Sequence, residues 1–172
     1  MDRSATRHYL VIAVPILLWL CSFFLPAITF PPDNASHWAP ADGMQLGYAA
    51  ALLSLTAGVM NAIELADAIH RGHLSWATAH FSAVGLLWLA NLWMIIAPFR
   101  VRSLARARST PLLITTWLWV AAPLPLVWQS FQLTPDGLRP YTLHSGFFLW
   151  WFSLLLLASL CTAIRSLRSP DL

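Results

Sequence analysis

The chain has 172 residues, 58% of them hydrophobic and 10% charged, with a formal net charge of +3. A soluble domain of this size carries about 25% charged residues, so the composition excludes an ordinary water-soluble globule and points to one integral membrane domain over 1–172. All ten basic residues are Arg, which excludes Schiff-base chemistry for want of an amine. They lie beside apolar runs, with no basic stripe or groove of the kind that nucleic acid requires.

The first apolar stretch, 9–30, follows Arg3 and Arg7. It is longer than the apolar core of a signal peptide and no small-residue cleavage pattern follows it. It is therefore expected to be a retained span, with Pro15 and Pro26 tolerated where neighbouring helices satisfy the freed carbonyls. The polar, basic-poor stretch that follows (Asp33, His37, Trp38, Asp42) suits the outer face. Asn34-Ala35-Ser36 fits a glycosylation sequon, a match that chance readily supplies.

Asp42-Gly43-Met44-Gln45 reads as a helix start, with Asp42 as N-cap and Gln45 three residues on. The helix expected over 44–72 is weak as a span. Its uninterrupted apolar part is Ala49 to Met60, and Asn61, Glu64 and Asp67 follow closely. A run of about 10–14 apolar residues marks a re-entrant or interfacial segment more often than a crossing. Ala50, Ser54, Gly58, Ala62 and Ala66 recur at every fourth residue and suit close helix packing.

A full span is expected over 74–98, followed by the arginine loop 99–109 with Arg100, Arg102, Arg106 and Arg108. A short loop so rich in Arg belongs on the cytoplasmic side. The next span, 111–129, begins with Ser109 or Thr110 as cap and Pro111 in the first turn. Pro123-Leu124-Pro125 predicts a kink or break within it. A polar connection over 132–143 leads to the last span, 144–164, which ends at Arg165 and Arg168.

Arginine placement tests the alternatives. Five full spans with the N-terminus inside leave only Arg3, Arg7, Arg71 and Arg139 in the cytoplasm; with the N-terminus outside, the other six are inside. If 44–72 dips in and returns on the outer side, only Arg71 and Arg139 remain outside. The expected fold is thus a helical bundle of four full transmembrane helices plus a partly inserted or re-entrant helix, with five full spans as the alternative.

The chemistry-bearing residues cluster after that weak helix. Glu64, Asp67, His70 and His73, with His80 further on, have spacings at which carboxylate and imidazole can converge on a metal. The competing reading is an Asp67–Arg71 ion pair with wet histidines at a helix end. His80 and His144 are the pair that a haem clamp would need. Cys21 and Cys161 are far apart in apolar runs and read as small buried residues. Trp88, Trp93, Trp117, Trp119, Trp150 and Trp151 read as interfacial anchors and packing groups. No serine elbow, H-E-x-x-H or phosphate-binding glycine loop is present.

At Leu25-Pro26-Ala27, Leu89-Ala90-Asn91 and Ser145-Gly146-Phe147-Phe148-Leu149-Trp150 the chain resembles small multispan bacterial inner-membrane proteins. The resemblance implies that membrane as compartment and no activity. The functional expectation is a non-enzymatic accessory protein that binds the bilayer and another membrane protein, or itself, with no cofactor. The alternative is a metal-, haem- or proton-handling protein built on the Glu64–His80 cluster.

Overall fold

The computed structural model describes residues 3–30, 44–73, 87–104, 110–133 and 141–166. These residues are mostly helical: α1 (Arg3–Ser22), α2 (Gly47–His70), α3 (Trp88–Leu104), α4 (Thr110–Ala121), α5 (Leu124–Ser130) and α6 (Ser145–Ser166). Three short strands accompany them, β1 (Pro26–Thr29), β2 (Met44–Leu46) and β3 (Thr142–Leu143), paired antiparallel in the order β2-β1-β3. The expected helical character holds for most of the described residues, and the three short strands are the departure from it.

The expected span 9–30 ends as a helix at Ser22. Its last N–H groups tighten onto carbonyls three residues back, from Phe23 to Leu20 and from Phe24 to Cys21. Pro26 then steers Leu25 out of the helical region, and Ile28 and Thr29 favour an extended chain. α2 likewise begins at Gly47 rather than beside Asp42, because Met44–Leu46 is already committed to β2. Asp42, Trp38 and the sequon lie outside the described residues.

Two helical stretches are long and apolar enough to cross a membrane, Thr110–Ser130 (21 residues) and Ser145–Ser166 (22 residues). At 1.5 Å per residue each reaches about 31–33 Å, the thickness of a hydrocarbon core. Ile12–Ser22, Gly47–Thr56 and Trp88–Ala97 are shorter apolar stretches, so four full spans are not supported among the described residues. In α1 the apolar part starts only after Arg3 and Arg7; half of the expected span 74–98 lies outside the described residues. The break expected at Pro123-Leu124-Pro125 separates α4 from α5. The Val120 carbonyl beside it accepts the Trp151 indole N–H at 2.8 Å, so a neighbouring helix satisfies the disrupted turn.

The strands dictate how the helices run. β1 follows α1 and pairs with β3, which leads into α6, so α1 and α6 lie antiparallel with the sheet at their shared end. Ile12, Trp19, Leu154, Leu157, Ala158 and Cys161 form the core with Ala90, Met94 and Ala97 of α3 and Val120 of α4. These recur at three- and four-residue steps, one stripe per helix. Indole N–H groups join the helices: Trp93 donates to Thr116 at 3.2 Å and Trp117 to Thr162 at 3.1 Å. Each of those threonines also donates back to a carbonyl of its own helix, Leu112 and Ala158.

Outside this core the bundle is apolar. Leu17, Phe24, Ile95, Ile114, Leu118 and Phe152 are exposed, whereas Ser22, Thr116 and Ser153 are buried. Soluble monomers rarely leave so much contiguous apolar surface in water.

Candidate functional site

Three helix ends and the sheet meet above the bundle core and form a cap. The turn after α1 supplies its backbone frame. The Gly47 N–H donates to the Leu25 carbonyl at 2.9 Å, and the Tyr48 N–H donates to that of Phe23 at 3.0 Å. Main-chain carbonyls thereby satisfy the first turn of α2, which has no side-chain cap. Gly146 starts α6 against the same turn, where a Cβ would meet the Leu25 and Pro26 carbonyl oxygens at 2.6 and 2.7 Å. A Cβ at Gly47 would overlap the Ser22 carbonyl oxygen. Both glycines are there because backbone approaches backbone.

β1 carries a bulge: Pro26 pairs with Leu46 and Ile28 with Gln45, leaving Ala27 as the extra residue. The Ala27 carbonyl instead accepts the His144 N–H at 2.9 Å. The His144 ring Nε2 shares a 2.7 Å hydrogen bond with Thr29 Oγ1, tying the start of α6 to β1. Beyond the register shift, Ile28 pairs with both Gln45 and Leu143, so these three form a row across one face of the sheet. That row lines a cavity of about 250 Å³.

The cavity walls are mostly apolar, with Phe23, Leu53, Leu126 and Phe147 among them, and none of the described lining residues has a titratable side chain. Two amides, Asn91 and Gln45, interrupt the apolar lining, together with the hydroxyls of Ser22 and Ser54, which donate to the Trp19 and Ala51 carbonyls. Asn91 Oδ1 accepts two indole N–H groups, from Trp19 of α1 at 2.9 Å and Trp150 of α6 at 2.8 Å. Two donors aimed at one atom fix it as the oxygen and leave Nδ2 as the donor end of the amide. Gln45 is 3% exposed, and among the described residues its Oε1 has no hydrogen-bond partner. An unpaired buried amide oxygen costs about 1–3 kcal/mol.

Tyr141 closes the cap from behind. Its hydroxyl donates to the Leu126 carbonyl at 2.9 Å and lies 3.2 Å from Gln129 Oε1. Burial pushes the phenol up to about 12, so it remains a donor at all ordinary pH values.

The residues singled out in the sequence lie elsewhere. Glu64, Asp67, His70 and His73 are exposed along the second half and end of α2. Asp67 and Arg71 form an i,i+4 ion pair at 2.8 Å. Among the described residues no group of three or more His, Cys, Asp or Glu side chains is placed to hold a metal. His80, Arg106 and Arg108 lie outside the described residues, and Arg100 and Arg102 are in the last turns of α3. Cys161 is buried as expected, whereas Cys21 is exposed on the outer face of α1.

Comparison with known protein families, with curated proteins and with solved structures returns no match. Sequence reasoning passed over Gln45 as a site residue, treating it as half of a capping box. It passed over Asn91 as well. The usable signal for Asn91 was its position: it is the one polar residue in the run Trp88–Ala97, and a polar group at membrane depth is a functional candidate by default.

Proposed function

We propose that the protein is a multi-pass membrane bundle that acts by binding another membrane component and performs no catalysis. In this reading α1, α3, α4 with α5, and α6 cross the bilayer, and the ends bearing Arg3, Arg7, Arg100, Arg102 and Arg165 face the cytoplasm. The apolar exterior supports the membrane setting, as does the packing of α1 and α3 onto α6 along the shared core. A helix packed beside the middle of a crossing helix shares its depth. Arg165 donates to Thr110 Oγ1 at 3.0 Å, which brings the end of α6 to the start of α4, beside the arginine loop.

The observation that carries the binding role is the second half of α2. Val59, Met60, Ile63 and Ile69 are exposed there, interleaved with exposed Glu64 and Asp67 and followed by the C-cap Arg71. Lipid penalises the ionised groups and water penalises the apolar ones. A partner with both an apolar face and polar contacts accommodates the whole segment. Purification in mild detergent with crosslinking is expected to give a complex or oligomer. The joint substitution Ile63→Ser and Met60→Ser should release it. A clean monomer with no crosslinked partner would overturn the reading.

A further inference from the structure

The geometry points to the cap cavity as a binding site for a neutral, hydroxyl-bearing apolar molecule whose O–H donates to Gln45 Oε1. The cavity belongs to the cap, apart from the second half of α2, and the inference holds whether or not that segment binds a partner.

β2 alternates exposed Met44 with inward Gln45. An apolar side chain at 45 would complete a hydrophobic row with Ile28 and Leu143 at no desolvation cost. The chain instead buries an amide there, and among the described residues no donor meets its oxygen. Buried groups left unmet call for an explanation and are common at functional positions; of the two among the described residues, Gln45 Oε1 and Trp119 Nε1, only that of Gln45 belongs to a cavity-lining residue.

The remaining walls state what the donor must be attached to. Among the described residues no charged or titratable side chain lines the cavity, so an ion brought there would lose its hydration without compensation from them. A neutral molecule is required. The walls reward apolar atoms, and Gln45 Oε1 rewards one hydroxyl donor, beside Asn91 and the already donating hydroxyls of Ser22 and Ser54. The indoles of Trp19 and Trp150 hold Asn91 in place.

Size narrows the class further. A cavity of about 250 Å³ exceeds the ~150 Å³ that admits benzene and falls short of the ~300–1,000 Å³ of drug-sized pockets. It suits a hydroxyl with the first part of an apolar chain, or a compact aromatic alcohol. A single-chain lipid alcohol or acylglycerol and a small phenolic solute share this chemistry.

The test uses the full chain in lipid nanodiscs, with thermal unfolding followed against increasing 1-dodecanol, dodecane or phenol. Wild-type protein is expected to be stabilised saturably by dodecanol at about one-tenth the concentration required of dodecane, the ratio that one additional hydrogen bond of ~1.4 kcal/mol gives. Dodecanol acting below phenol assigns the site to a lipid alcohol; phenol acting first assigns it to a small solute; either supports the hydroxyl site. Gln45→Met should unfold no earlier than wild type without ligand, since it removes the unpaired oxygen, and should lose the preference for alcohol over alkane. Equal responses to dodecanol and dodecane in the wild type would overturn the proposal. So would an undiminished alcohol preference in Gln45→Met.

Discussion

The two ends of the bundle solve opposite problems. At one end, α3 and α6 finish in Arg100, Arg102 and Arg165, and α1 begins with Arg3 and Arg7. At the other, the cap has no Asp, Glu, Lys or Arg among its described residues, and holds itself together with main-chain carbonyls, indoles and amides. Fixed charge suits an end that must stay in water. An uncharged, closely fitted frame suits an end that must enclose a cavity. The difference teaches where a ligand can be recognised: hydrogen bonds carry little weight in water and considerable weight in an apolar enclosure.

Breaking the cap should have the largest effect. Gly146→Ala and Gly47→Ala each drive a methyl group into backbone, and overpacking of this kind typically costs about 1–3 kcal/mol. Thermal unfolding in detergent should show both variants well below wild type. Asn91→Ala comes next, leaving the indoles of Trp19 and Trp150 without an acceptor, at about 1–3 kcal/mol. Trp19→Phe and Trp150→Phe should each cost less, about 0.6–1.7 kcal/mol for one interhelical hydrogen bond. Because both donate to one oxygen, the double substitution should depart from additivity.

Tyr141 sharpens the contrast through pH. Its pKa is raised from 10.0 to about 12 in the folded chain, so the neutral phenol's contribution is complete below pH 10. It is lost as pH rises through about 12. The midpoint of thermal unfolding should fall across that window, and Tyr141→Phe should flatten this part of the profile. The smallest effect belongs to α2, outside the cap. Asp67→Ala breaks an exposed i,i+4 pair and should change stability by no more than about 0.5 kcal/mol.

That α3 and α6 would finish in arginine was legible in the sequence, because Arg100, Arg102 and Arg165 directly follow apolar runs. The last helix was legible for a related reason: an unbroken Phe, Trp and Leu stretch can form little else, and α6 begins and ends within two residues of the expected bounds. The break at Pro123 and Pro125 followed from missing N–H groups. The cap was not legible. Its strands are two to four residues long, and their pairing joins segments more than a hundred residues apart in the case of β1 and β3. No local periodicity announces such a sheet, so 26–29 merged into the preceding apolar run.

The site was hidden for a further reason. Glu64, Asp67, His70 and His73 attract attention because their side chains do chemistry in many proteins, yet here they are exposed on α2. Gln45 is unremarkable by type and becomes informative only once its burial and its missing donor are known. Asn91 had the stronger sequence signal, a lone amide in an apolar helix, but its two indole partners come from α1 and α6.

The proposed topology puts the arginine end in the cytoplasm and the cap on the opposite face. Single cysteines introduced by Ser4→Cys, Ser166→Cys and Leu133→Cys, with Cys21 and Cys161 replaced by Ala, test it in spheroplasts with a membrane-impermeant maleimide. Leu133→Cys should react in intact spheroplasts, whereas Ser4→Cys and Ser166→Cys should react only after permeabilisation. Labelling of Ser4→Cys or Ser166→Cys from the outside would contradict the account.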